Sequence, residues 1–133
     1  VREYLDLIHD YVEKNDIHVN IWAHTDSPHL PDDLLLKADG LWQKAEDQTA
    51  GEPEVQRRVR LCRMSVDYAI VERGRQHAAR GQAAQSPIVP VAKRRFQPFL
   101  ETLASSGLTH LHEHTRVDVA DYRAKLAAAL GIQ

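Results

Sequence analysis

Apolar residues recur at three- and four-residue spacing along most of this chain, and that period decides what it can fold into. The longest such stretch runs from Pro53 to Ala79. There Val55, Val59, Cys62, Val66, Ala69 and Ile70 make one stripe, and Leu61, Met64, Tyr68 and Val71 make a second. A helix that is apolar on two faces needs neighbours on two sides. It therefore reads as the central helix of an all-α domain. Pro53 suits its first turn, Glu52 and Glu54 its positive end, and Arg73, Arg75 and Arg80 its negative end.

Four shorter helices are predicted around it. Residues 2–15 carry Tyr4, Leu5, Ile8, Tyr11 and Val12 on one stripe, with Leu7 at its edge. After Pro31, Leu35, Ala38, Leu41, Trp42 and Ala45 form the next, and Gly40 inside it predicts the close approach of a neighbouring helix. Beyond a polar linker at 81–86, Val91, Phe96, Phe99, Leu100 and Leu103 define a fourth. Pro98 should kink this helix or delay its start, and Ser105, Ser106 and Gly107 close it. Asp118 can cap a fifth, with Val119, Tyr122, Leu126 and Leu130 inward and Gly131 as its stop. Residues 17–24 alternate instead: Ile17, Val19, Ile21 and Ala23 point one way, and His18, Asn20, Trp22 and His24 the other. That is the period of a strand. A single strand cannot satisfy its backbone donors and acceptors, so this one implies a partner upstream. Residues 108–115 read as extended. The expected architecture is a four- to five-helix bundle around the helix at 53–79, with one short extended segment near 17–24.

The 133 residues suit one domain, and 43% hydrophobic content is enough for a core. Net charge is −2, which gives no global case for a nucleic-acid binder. Locally the charge is uneven. Residues 1–51 hold 4 Lys/Arg against 11 Asp/Glu, a balance of −7, and residues 52–95 hold 10 against 4, a balance of +6. An acidic helical face beside a basic one accounts for this, and a basic patch for an anionic partner is the alternative. Cys62 stands alone, so no internal disulfide forms, and its place in a stripe predicts a small buried side chain. No signal peptide or membrane span is visible. Val1 in place of Met, inside a helical pattern, suggests a piece of a longer protein whose leader would be missing.

No nucleophile sits beside a base, and there is no phosphate loop, so no catalytic residue and no cofactor is expected. Two groups could bind. His110, His112 and His114 share one face if extended, and three imidazoles suit Zn, Ni or Cu. Neighbours on that face stand about 6–7 Å apart, so a bend or a fourth ligand would be needed. His18, Trp22 and His24, with Asp26, could line one face of the alternating segment, where Trp22 could stack on a sugar ring. Arg57, Arg58, Arg60 and Arg63 form a basic turn, read as a solvated face or as interhelix pairing, and Lys93, Arg94 and Arg95 read alike. Asp67 with Glu72, or Asp32 with Asp33, gives carboxylate pairs that nothing places across a cleft.

Three stretches carry a resemblance. They are Val1 to Ile21, beginning Val-Arg-Glu-Tyr-Leu-Asp-Leu-Ile-His; Leu34 to Glu46 with Pro53 to Tyr68; and Phe99 through Leu108-Thr-His-Leu to Tyr122. Together they resemble the C-terminal part of the bacterial family called domain of unknown function 4838, whose members look like large glycoside-hydrolase-type proteins. The resemblance implies that 1–24 is the tail of an upstream barrel region and 31–130 a helical extension. It carries no catalytic carboxylate onto this chain. The function so implied is a non-catalytic helical accessory domain of a glycoside-hydrolase-like protein, one that packs on the upstream catalytic domain of the same chain or forms a homodimer. The alternatives are a carbohydrate-binding module using exposed Trp or Tyr (Trp22, Trp42), and a divalent-metal site at His110, His112 and His114. Neither nucleic acid nor membrane is an expected partner. The compartment, cytoplasmic or secreted, is left open.

Overall fold

Five helices carry almost all the regular structure in the computed structural model, which describes residues 1–19, 24–112, 115–116 and 118–132. They are α1 (Arg2–Lys14), α2 (Asp32–Gln48), α3 (Pro53–Ala79), α4 (Ile88–Ser106) and α5 (Val119–Leu130). The fold class is all-α, as the 3.6-residue period demands. Among the described residues none of 17–19 or 24 is in a strand, and 20–23 lie outside them. The short strands lie elsewhere: β1 (His110–His112) pairs antiparallel with β2 (Thr115–Arg116), aligning His110 with Arg116 and His112 with Thr115. This pairing gives β1 the second strand that a lone segment lacks.

Helix ends follow local chemistry. Asp118 accepts from the backbone N–H groups of Ala120 (2.8 Å) and Asp121 (3.1 Å), two of the donors that every helix start leaves unpaired. Gly131, at φ 64°, lets Ile132 N–H return to Ala127 O at 2.9 Å and stop α5. α4 begins at Ile88, ahead of Pro90, and runs unbroken past Pro98. Pro90 sits in the first turn, where a missing N–H costs nothing. Pro98 therefore neither ends α4 nor delays its start.

Contacts group the chain into two units, Val1–Ala69 and Ile70–Gln133, with α3 running from the first into the second. In the first unit Leu34, Leu35, Ala38 and Trp42 of α2 are buried, together with Val66 and Ala69 of α3. The inward face of α3 here carries Arg63, Val66 and Asp67, at helical spacing. The predicted stripe is displaced round the helix: Val55 is exposed and so is Cys62, against the buried thiol expected. Gly40 likewise departs from expectation, since a Cβ there would meet nothing within 4 Å.

In the second unit Ile70, Val71, Ile88, Val89, Ala92, Phe96, Phe99, Leu100, Leu103, Leu126 and Leu130 form the core. Its close approach is at Gly74. A Cβ there would overlap the Cβ of Ala92 and lie 3.4 Å from Leu130 Cδ2. The absence of a side chain at 74 lets α3 and α4 pack this tightly. No described helix is long and apolar enough to cross a membrane.

Candidate functional site

The most concentrated chemistry lies in the core of the first unit. Arg63 is fully buried, and its guanidinium reaches three carboxylates. Nε donates to Asp67 Oδ1 at 3.0 Å, four residues along α3. Nη2 donates to Asp39 Oδ1 on α2. Nη1 lies 3.4 Å from Glu46 Oε1, two turns further along the same face of α2. A planar fork of five N–H donors suits such a set, whereas an ammonium would meet it as a point charge. The carboxylates are themselves buried, Asp67 at 1% exposure. Desolvating four charges is costly; the hydrogen bonds of Nε and Nη2 offset part of that cost, while buried Nη1 makes no hydrogen bond among the described residues. The arrangement ties α2 to α3.

A second polar tie serves the other unit. Tyr122 of α5 donates its hydroxyl to Glu72 Oε1 at 2.7 Å, and Arg75 Nε donates to Glu72 Oε2 at 2.8 Å. The Tyr122 ring meets Phe99 edge-on at 6.4 Å. Glu72 thus fixes where α5 sits on α3. Asp67 and Glu72, five residues apart in sequence, serve separate ties: Asp67 accepts from Arg63 of its own helix, and Glu72 accepts from Arg75 of α3 and Tyr122 of α5.

Between α1 and α2 a cleft of about 170 Å³ is lined by Tyr4, Leu41, Trp42, Lys44, Ala45 and Gln48, among others. The Tyr4 and Trp42 rings stand 5.4 Å apart at 53°. Burial pushes the Tyr4 phenol above its ordinary pKa. At the surface Lys44 Nζ lies 3.5 Å from Glu3 Oε2. Trp42 is only 2% exposed, so its face is not offered to a sugar, and this corrects its proposed stacking role. Its indole N–H has no acceptor among the described residues, a cost of about 1–3 kcal/mol that packing must outweigh.

The basic turn of α3 divides by depth. Arg57 and Arg58 are exposed and both donate to Glu54, at 3.1 Å from each Nε. The Arg57 hydrogen bond, then that of Arg58, holds the Glu54 carboxyl at about 2. Arg63, one turn on, is the interhelix cation. The spacing Arg63–Asp67 and the seven-residue spacing Asp39–Glu46 are both readable in the sequence, but nothing there says they meet.

Both predicted ligand groups fall partly outside the described residues. His18 and His24 are exposed, and Trp22 lies outside the described residues. The backbone of His24 opens a local turn: its N–H donates to Ser27 Oγ at 2.8 Å, and its carbonyl accepts from Ser27 N–H at 3.0 Å. His114 lies outside the described residues, and His110 and His112 are described only by their backbone in β1. Among the described residues no group of three or more His, Cys, Asp or Glu could hold a metal ion. No protein-family model, curated protein or solved structure matches this chain.

Proposed function

We propose that this chain is a non-catalytic helical accessory domain of a glycoside-hydrolase-like protein, packing on a catalytic domain that precedes it. The observation that supports this reading is the use made of buried charge. Enzymes place buried carboxylates and cations where their acidity can be tuned and a substrate can reach them. Here Arg63, Asp39, Glu46 and Asp67 bind α2 to α3, and Glu72 binds α3 to α5. These groups are spent on holding helices in register, which is the work of a scaffold. The resemblance of the three matched stretches to the helical C-terminal part of a glycoside-hydrolase-type family points the same way.

The test is the coding sequence upstream of Val1. An open frame of several hundred residues with alternating strand and helix patterns supports an accessory domain. Glycosidase activity of the whole product should then survive Arg63→Lys with its kcat unchanged. A start codon directly before Val1 would overturn the reading.

A further inference from the structure

We infer that α1 is the contact surface of a two-fold dimer of this chain, in which α1 packs antiparallel on its own copy. The proposal concerns the 133-residue chain and does not rest on the accessory-domain reading. α1 is amphipathic, yet none of its residues is buried. Tyr4 packs on Trp42 of α2, which settles the side of α1 that is covered. Val1, Leu5, Ile8 and Val12 recur at spacings of four, three and four along the neighbouring stripe. That is the seam of paired helices. Val1 is 59% exposed and Leu5 58%, while Ile8 and Val12 are half-buried.

The charges beside this stripe choose the occupant and its direction. Arg2 flanks its N-terminal end, and Glu13 flanks its C-terminal end. The two lie about 17 Å apart at 1.5 Å rise per residue, too far to pair within one helix. An antiparallel copy brings Arg2 of each chain to Glu13 of the other, twice by symmetry. The same axis, passing near Ile8, sets Leu5 beside the copy's Val12 and Ile8 beside the copy's Ile8. All three pairings share one midpoint to within a residue. A parallel copy would instead oppose Arg2 to Arg2 and Glu13 to Glu13. The contact in place today is weak: Arg2 Nε lies 3.7 Å from Asp6 Oδ2, with both side chains largely in solvent. The patch is small, so the dimer should form at micromolar to millimolar concentration.

The test is sedimentation velocity across that concentration range on the chain and four variants. The parent should show reversible dimer formation that weakens with salt. Leu5→Glu, at an exposed position, should remain folded and monomeric. Arg2→Glu and Glu13→Arg should each raise the dissociation constant roughly tenfold, because each turns two attractions into repulsions. Both changes suit the helix dipole, so folding is not at risk. The double variant should restore dimer formation. A parent that stays monomeric throughout would overturn the proposal. So would a dimer indifferent to Leu5→Glu, or a charge exchange that fails to rescue.

Discussion

Replacing Arg63 by methionine should cost the protein about 3–5 kcal/mol. Methionine keeps an unbranched stem and good helix propensity, so the change removes chiefly the guanidinium. With it go the hydrogen bonds to Asp67 and Asp39 and the ion pair with Glu46, in a site where Arg63 has no exposure. Three buried carboxylates then lose their shared cation, and breaking a buried ion pair from one side costs about 3–5 kcal/mol. That is a large share of the roughly 5–15 kcal/mol by which a domain is stable. At about 2.1 cal/mol/K per residue the unfolding entropy of this chain gives about 3.6 °C per kcal/mol, so Tm should fall by roughly 10–18 °C. Calorimetry and urea denaturation near neutral pH read the effect. Arg63→Lys should fall between parent and Arg63→Met, since an ammonium cannot fork. Adding Asp39→Leu and Asp67→Leu to Arg63→Met should recover much of the loss, because apolar replacement of a whole buried set is often neutral or better. A loss under about 1 kcal/mol for Arg63→Met, the size of an exposed pair, would refute the reasoning.

Two glycines inside helices should respond in opposite directions. Gly40→Ala should stabilise by about 0.5–1 kcal/mol, because its Cβ enters open space, whereas Gly74→Ala should destabilise by about 1–3 kcal/mol through overlap with Ala92. Chemical denaturation of the pair settles it, and equal signs would contradict the packing described. Tyr122→Phe should cost about 1–2 kcal/mol by removing the hydroxyl from Glu72 while leaving the ring on Phe99. Glu54 should titrate at about 2 by carboxyl NMR and rise towards the ordinary value in Arg57→Gln. A depressed folded pKa contributes stability above the unfolded value near 4.5, and that contribution is lost as pH falls towards 2. Both partners are exposed, so the stability change at neutral pH should be small.

The period of the apolar residues was enough to place all five helices, and terminal chemistry placed their ends. Asp118 and Gly131 act through bonds to their own neighbours and Gly107 through its left-handed backbone, so their roles are legible without a fold. Pro98 lies within α4 and does not delay its start at Ile88. The face of α3 turned inward was less legible. Apolarity favoured Val55, Val59 and Cys62, but the first unit buries Arg63 and Asp67 one step round the helix. A charged residue counts as exposed in any pattern of hydropathy until its partners are known. Those partners, Asp39 and Glu46, sit on another helix.

What the sequence determined by itself is the helical class, the number and extent of the helices, and the caps. Each depends on residues within a turn or two of one another. Only the tertiary structure decided that Arg63 is an interior cation, that Trp42 is covered, and that Gly74 rather than Gly40 marks a close approach. It also decided that no residue of α1 is buried and that Val1 and Leu5 stand exposed. These are facts about which helix meets which, set by contacts between residues far apart in the chain, and no local period encodes them.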